Sequence, residues 1–176
     1  YVYGILRKSE LQEESITKVQ TGGPDGDLGS NEILLSKDKT VAVIDGSGVV
    51  HDPQGLDRAE LMRLARARKT VAHFDVSKLG KDGYLVLVED RHLTLPSGEM
   101  VPDGLNFRNR AHLRFEADLF VPCGGRPEAI NIGNVHEMFD SEGKCHYKYI
   151  VEGANLFISR QGRLELEKRG VVLFPD

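Results

Sequence analysis

Lys18-Val-Gln-Thr-Gly-Gly-Pro-Asp-Gly-Asp-Leu-Gly-Ser30, together with Thr40-Val-Ala-Val-Ile-Asp45, decides the fold of this chain. An apolar strand runs into a glycine-dense turn, a short helix follows, and a second strand ends in an acidic residue. This order is typical of a βαβ unit that binds a dinucleotide: glycines let the backbone approach a diphosphate, and the helix start offers unpaired N–H groups. Asp45 lies 19 residues after Gly26, close to the spacing of about 20 at which a carboxylate meets a ribose hydroxyl.

The glycine pattern is irregular. Gly23, Gly26 and Gly29 recur at every third position, and Pro24 stands where the usual G-x-G-x-x-G fingerprint has a glycine. Taken alone, the segment is also compatible with an ordinary surface turn between a strand and a helix. A calcium loop of the EF-hand type is excluded, because Ser36 occupies the place of the bidentate Glu. A P-loop is excluded because no Gly-Lys is followed by Ser or Thr.

Composition and charge narrow the classes of function. The chain has 176 residues, of which 40% are hydrophobic and 28% charged, as expected for one globular domain. The net charge of −4 argues against a nucleic-acid partner, because binding phosphate backbones requires a basic surface. No apolar run approaches the roughly 20 residues of a membrane span, so no membrane partner is expected.

The termini and the cysteines suggest a piece of a larger intracellular protein. Because the chain begins at Tyr1 without Met, we expect an excised domain. Cys123 and Cys145 form no C-x-x-C pair, and we expect free thiols in a reducing compartment, the cytoplasm or alternatively the mitochondrial matrix. The six histidines show no metal-binding spacing such as H-E-x-x-H, so no metal site is expected.

Strands alternate with helices along the chain, which predicts an α/β, Rossmann-like, doubly wound and mostly parallel sheet. We expect one domain over residues 1–176. The end of a helix is predicted over Tyr1–Lys8, and a helix from Asp27 to Leu35 should bury residues 33–35. Residues 81–114 contain two short strands, a turn and a helix, and we expect them to be a small β-hairpin and helix segment inserted in the core fold.

Unusual glycine-rich and polar segments follow four of the predicted strands: Gly23–Gly29, Asp45–Ser47, Pro122–Gly125 and Glu152–Asn155. In doubly wound sheets, ligands bind beyond the carboxyl ends of the strands. We therefore expect these segments to meet around one ligand site.

Three motifs carry a family resemblance: Thr21-Gly-Gly-Pro-Asp-Gly-Asp-Leu-Gly-Ser-Asn-Glu32, Phe120-Val-Pro-Cys-Gly-Gly-Arg-Pro127 and Ile150-Val-Glu-Gly-Ala-Asn-Leu-Phe157. With them, nearly the whole chain resembles the cofactor domain of the large NAD-specific glutamate dehydrogenases, particularly the fungal type. The smaller glutamate dehydrogenases are similar more distantly, with a G-x-G-N-V-G-type loop where this chain has a longer one.

The resemblance implies a set of cofactor-binding residues. The pyrophosphate should be surrounded by Gly26, Asp27, Leu28 and Gly29. The adenosine ribose should meet Asp45. The nicotinamide ribose should lie beside Cys123 and Gly124, and the nicotinamide end should be held by Asn155. An Asn side chain can both donate to and accept from a carboxamide. Without the family resemblance, an asparagine at position 155 is more typical of a turn residue than of a ligand contact.

The charges of the motif favour NAD as the cofactor. The glycine loop holds two aspartates and no Lys or Arg, so we expect the pyrophosphate to rest on backbone N–H groups and the helix dipole. The Asp45 carboxylate accepts ribose hydroxyls, whereas the 2′-phosphate of NADP would meet a like charge with no arginine nearby in sequence.

The resemblance implies oxidative deamination of L-glutamate to 2-oxoglutarate and ammonia, with hydride transfer to NAD, in a parent homo-oligomer. Family members place catalytic lysines and an acid–base Asp in a substrate domain. Gly80-Lys-Asp-Gly83 matches that pattern only superficially, so we assign no catalytic residue here and expect the fragment alone to be inactive. A non-catalytic nucleotide-binding or regulatory module and a dehydrogenase of another amino acid are the alternatives.

Overall fold

The structure is a computed structural model that describes residues 15–153 and 156–174. The helix predicted over Tyr1–Lys8 lies outside these ranges. The strands of the described part are β1 (Thr17–Thr21), β2 (Lys39–Asp45), β3 (Gly48–His51), β4 (Tyr84–Leu87), β5 (Arg91–Thr94), β6 (Met100–Asp103), β7 (Ala117–Pro122), β8 (Tyr147–Val151) and β9 (Val172–Phe174). Its α-helices are α1 (Asp27–Leu35), α2 (Arg58–Ala67), α3 (Gly104–Arg114) and α4 (Arg160–Lys168). Short 3-10 helices span Val71–His73, Val76–Lys78 and Val135–Met138.

Within the described ranges, one seven-stranded sheet runs in the order β4-β3-β2-β1-β7-β8-β9. The strands from β2 to β9 in this order pair in parallel, and β3 and β4 are added antiparallel at one edge. The order reverses at β1, whose neighbours are β2 and β7. This reversal is the switch point at which doubly wound folds bind ligands. The predicted α/β, mostly parallel sheet is confirmed.

Helices cover both faces of this sheet. On β2, Val43 packs with residues of α1 and α2, whereas its neighbours Ala42 and Ile44 belong to the cluster that contains residues of α3 and α4. Successive residues of a strand point to opposite faces, so the two helix pairs lie on opposite sides. Burial on both faces explains why β2 reads as a continuous apolar run.

The structure confirms the helix predicted from Asp27 to Leu35 and corrects its buried face. Ile33 is buried and Leu34 is partly buried, but Leu35 is 69% exposed. Three consecutive residues cannot share one face of a helix, since each position turns by about 100°. The run of apolar residues therefore overstated the buried surface.

Residues 81–114 divide into parts with different partners. Strand β4 pairs with β3 in the main sheet, and α3 contributes Phe107 and Ala111 to the core. Only β5 and β6 pair with each other outside the main sheet among the described strands. The segment is thus joined to the sheet at both of its ends.

Beneath α1, a buried ionic cluster connects β1 to the start of β2. The fully buried Lys18 Nζ lies 3.1 Å from Glu32 Oε1 and 3.1 Å from Asp38 Oδ2, and it donates to Ser36 Oγ at 3.0 Å. Asp38 Oδ1 accepts a hydrogen bond from Thr40 Oγ1 at 2.8 Å. Several partners therefore compensate the burial of the ammonium group, as a buried charge requires.

The buried His112 and the partly buried His51 make stability depend on pH. Desolvation is the main cause that lowers the pKa of His51 from 6.5 to about 4, and it lowers the pKa of His112 likewise to about 4. Both rings are neutral in the folded state near neutral pH, whereas the unfolded chain binds protons below pH 6.5. Stability is therefore complete above pH 6.5 and is lost as the pH falls towards 4, by up to about 1.4 kcal/mol per pH unit for each ring.

We expect the urea concentration at the unfolding midpoint to decrease as the pH is lowered from 6.5 to 4. In the His51→Phe variant, this decrease should be less steep. His51 stacks on Phe115 with ring centroids 4.5 Å apart, and its Nδ1 is buried without a partner within the described residues, so phenylalanine suits the site. The control is the substitution His73→Gln at an exposed histidine. This variant should keep the wild-type dependence of the urea midpoint on pH. An equal slope in wild type and His51→Phe would contradict the prediction.

Candidate functional site

The glycine turn after β1 is bonded to both neighbouring strands. Gly22 N donates to Ile44 O at 2.9 Å, and Cys123 N donates to Thr21 O at 2.7 Å. Gly22 has a φ of +89°, and a Cβ placed there would lie 2.6 Å from Gly124 N. Only glycine meets both requirements, since positive φ and contact with backbone each disfavour a side chain. The ends of β1, β2 and β7 therefore converge, as predicted.

The N-terminus of α1 faces this turn without a side-chain cap. Gly26 is the N-cap residue, and no side chain accepts a hydrogen bond from the first turn. A Cβ on Gly29 would overlap the carbonyl oxygens of Gly22 and Gly23, so the helix lies directly against the turn. Gln20 Nε2 fixes this contact by donating to Gly22 O at 2.9 Å and Gly29 O at 3.1 Å. The uncapped N–H groups and the helix dipole together favour an anion.

Asp45 lies at the end of β2 beside the turn and is buried. Its Oδ1 accepts hydrogen bonds from Ser47 N at 2.8 Å and Ser47 Oγ at 2.6 Å, and its Oδ2 accepts one from Val71 N at 2.8 Å. A carboxylate offers about four acceptor positions. One position on Oδ2 is therefore left for a ligand hydroxyl. The same oxygen is the closest neighbour of a Cβ built on Gly23, so it faces the glycine turn.

The turn, the strand end and α3 enclose one cleft of about 350 Å³. Gly22, Gly23 and Gly26 line one side of it, and Asp45 lines it at the end of β2. The volume lies within the range of small-molecule sites. Gly26 and Asp45, which the sequence assigned to pyrophosphate and ribose, thus border the same space.

Two arginines in this cleft were missed by the sequence analysis. Arg108 comes from α3 and Arg126 from the segment after β7, and both line the cleft. The expectation that the pyrophosphate rests on backbone N–H groups and the helix dipole did not include these two side chains. Arg126 stands in the Phe120–Pro127 motif that carries the family resemblance, so its position was a usable signal. Arg108 lies 63 residues after Asp45 on an amphipathic helix, where nothing local distinguishes it from a solvated arginine.

The other predicted site residues that the structure describes do not line the cleft. Asp27 is exposed and its Oδ1 lies 2.7 Å from Arg68 Nη1, Leu28 is half-exposed, and Gly29 is buried against the turn. Cys123 and Gly124 are partly buried at the end of β7. Asn155 lies outside the described residues.

The Cys123 thiol is held in its protonated form. Burial, with a smaller contribution from the charge of Glu32, raises its pKa to about 12. A thiol reacts as its thiolate, so Cys123 packs at the end of β7 as an unreactive group. Cys145 is likewise a free cysteine.

In residues 15–153 and 156–174, no group of three or more His, Cys, Asp or Glu side chains is arranged to hold a metal ion. No helix in these ranges combines the length and apolar character needed to cross a membrane.

Two curated relatives match the whole chain. The chain is 60% identical over 177 residues to a "Probable NAD-specific glutamate dehydrogenase" of Schizosaccharomyces pombe, and the match covers 100% of the chain and 16% of the relative. It is 54% identical over 178 residues to the NAD-specific glutamate dehydrogenase of Neurospora crassa, with coverage of 100% and 17%. The chain therefore spans about a sixth of the length of these relatives.

Solved structures share the fold. A glutamate dehydrogenase of Plasmodium falciparum superposes with a TM-score of 0.65 at 14% identity, over 99% of this chain and 32% of that chain. A hetero-hexameric glutamate dehydrogenase of Thermus thermophilus gives a TM-score of 0.63 at 18% identity, and the match covers 99% of this chain and 33% of that chain. The family model "Glutamate/Leucine/Phenylalanine/Valine dehydrogenase" matches residues 1–176, which confirms the resemblance drawn from the three motifs. The chain belongs to the glutamate, leucine, phenylalanine and valine dehydrogenase family.

Proposed function

We propose that this chain is the NAD-binding domain of a glutamate dehydrogenase, over residues 1–176 with 81–114 as an insertion. The observation that carries the proposal is the single cleft that contains the glycine turn, the uncapped start of α1 and the Asp45 carboxylate. Relatives with identities of 54–60% are named NAD-specific glutamate dehydrogenases, which supports both the cofactor and the substrate.

The chain's residues suit the binding and orientation of the dinucleotide. When bound, NAD accepts a hydride from the α-carbon of the amino acid. The amides of α1 would hold the diphosphate, the free acceptor position of Asp45 would fix the adenosine ribose, and Cys123, Gly124 and Asn155 would border the nicotinamide half. Gly22 and Gly29 fit this role, because a side chain at Gly22 would overlap the backbone at the end of β7 and one at Gly29 would overlap the glycine turn.

The reacting partners would be L-glutamate and 2-oxoglutarate, held by a substrate domain outside this chain. We assign no catalytic residue to the chain itself. The parent protein would be a homo-oligomer in a reducing compartment, the cytoplasm or the mitochondrial matrix. The alternative of a dehydrogenase for another amino acid keeps the same cofactor site, since the family name covers leucine, phenylalanine and valine enzymes.

Replacing Asp45 with asparagine tests the ribose contact. We expect Asp45→Asn to raise the Kd for NAD about tenfold and to narrow the preference for NAD over NADP, because a bond to a charged acceptor contributes about 1.5–3 kcal/mol. The measurement is calorimetric titration of the complete protein that contains this chain with NAD and with NADP.

Asp52 provides a matched control for this substitution. Its buried carboxylate accepts hydrogen bonds from Gln54 N at 2.9 Å and Gly80 N at 2.8 Å, much as Asp45 accepts from Ser47 and Val71, but it does not line the cleft. Asp52→Asn should disturb the fold similarly and leave NAD affinity unchanged. Comparable wild-type affinities for NAD and NADP, or equal losses in the two variants, would refute the assignment of Asp45.

A further inference from the structure

The two arginines of the cleft have no ion-pair partner among the described residues. Within the ranges that the structure describes, neither the Arg108 nor the Arg126 side chain forms a hydrogen bond or an ion pair. Arg108 Nε is buried without an acceptor. Buried polar groups in native proteins usually have a partner, and an exception calls for an explanation such as a ligand.

The charges of these arginines act on each other. Burial is the main cause that lowers the pKa of Arg108, and the charge of Arg126 lowers it further, whereas Asp45 raises it. Arg126 also contributes to lowering the pKa of His112, which lines the same cleft. Arg108 is partly buried and Arg126 is exposed, and an anion bound between two like charges that face one cleft would reduce their repulsion.

The glycine turn alone is poorly suited to a dianion. Asp25 lines the cleft and Asp27 begins α1, so two carboxylates lie near the helix start. Arg68 neutralises Asp27 from outside, with 2.7 Å between Nη1 and Oδ1. A helix N-terminus supplies only about half a positive charge, and Asp25 opposes it. A diphosphate in this cleft would therefore need cations from another element.

We propose that Arg108 and Arg126, which line the same cleft as the glycine turn, bind the diphosphate of the dinucleotide. Two guanidinium groups match the two negative charges, and planar N–H donors suit phosphate oxygens. The turn then positions the phosphates through its backbone while the arginines supply the charge. This inference rests on the proposed function, because it assumes that a dinucleotide occupies the cleft.

The test compares ligands that differ only in the diphosphate. The Kd values of adenosine, ADP and NAD are measured by calorimetry on the complete protein and on its Arg108→Gln, Arg126→Gln and double variants. We expect each single variant to raise the Kd for ADP and for NAD about tenfold, and the double variant to raise both about 100-fold, as for the loss of hydrogen bonds to charged groups. Adenosine affinity should stay unchanged, and Arg126→Lys should restore part of the loss.

Arg110 serves as the matched control. It lies on α3 like Arg108 but pairs with Glu137 and does not line this cleft. Arg110→Gln should keep the wild-type ratio of adenosine to ADP affinity. If it lowered ADP affinity as much as Arg108→Gln, general electrostatics would account for the effect and the proposal would fail.

The remaining outcomes separate this inference from the proposed function. A wild-type protein that binds neither NAD nor ADP overturns the proposed function and the diphosphate site together. A wild type that binds NAD, with an unchanged adenosine-to-ADP ratio in the double variant, overturns the diphosphate site alone. Equal losses for adenosine and ADP assign the arginines a structural role and also overturn it.

Discussion

A Gly29→Ala substitution is expected to abolish most of the NAD affinity of the complete protein, raising the Kd at least tenfold. The added methyl group would overlap the carbonyl oxygens of Gly22 and Gly23, which belong to the backbone and cannot rotate away. Alanine favours a helix over glycine by about 1 kcal/mol, whereas overpacking costs about 1–3 kcal/mol. The helix must therefore move away from the turn, and its first N–H groups move with it. Each such bond to a phosphate contributes about 1.5–3 kcal/mol.

Gly46→Ala is the control for this substitution. Gly46 also lines the cleft, but a Cβ built on it meets nothing within 4 Å. The control variant should fold like wild type. NAD titrations and thermal unfolding of both variants separate loss of the site from loss of the fold. Wild-type affinity in Gly29→Ala would show that the contact between helix and turn does not position the ligand.

Replacing Lys18 with methionine is expected to lower the free energy of unfolding of the chain by about 3–5 kcal/mol. Methionine is unbranched and only one atom shorter than lysine, but it leaves the buried Asp38 carboxylate without the ammonium group 3.1 Å away. Removing one partner of a buried ion pair costs about this much, because the remaining charge stays desolvated. Urea denaturation followed by circular dichroism measures the change.

Lys148 offers a surface ion pair of the same length for comparison. Its Nζ lies 3.1 Å from Asp118 Oδ1, but its side chain is 64% exposed, so Lys148→Met should cost less than about 1 kcal/mol. The double variant Lys18→Met/Asp38→Asn should regain part of the stability lost in Lys18→Met, since the uncompensated charge is gone. Equal costs for Lys18→Met and Lys148→Met would contradict the role of burial.

The buried ionic cluster illustrates a limit of sequence reasoning. Lys18 begins the motif that decides the fold, yet nothing in the sequence marks it as buried, because its compensating charges come from Glu32 and Asp38 in later elements. A lysine at the start of a strand is ordinarily exposed. Similarly, Leu35 belongs to an apolar run, but its exposure follows from the direction in which α1 packs.

The candidate site also combines features that the sequence predicts with features that depend on the tertiary structure. The turn, α1 and the acid at the end of β2 were predictable because they are local: glycine spacing, helix start and strand end follow one another within 28 residues, from Lys18 to Asp45. The number of acceptor positions left on Asp45 was not predictable. It depends on Val71, whose N–H reaches Asp45 Oδ2 at 2.8 Å from the segment after α2.

By itself, the sequence determined the alternation of strands and helices, the family and the glycine turn of the proposed diphosphate site, because short-range spacing and side-chain periodicity encode these features. Only the tertiary structure decided which charges enter the cleft. Arg108 and Arg126 reach it from α3 and from the end of β7, and such a meeting depends on how the helices cross the sheet. Electrostatic interactions act through space, so residues far apart in sequence set the charge of the site once folding brings them together.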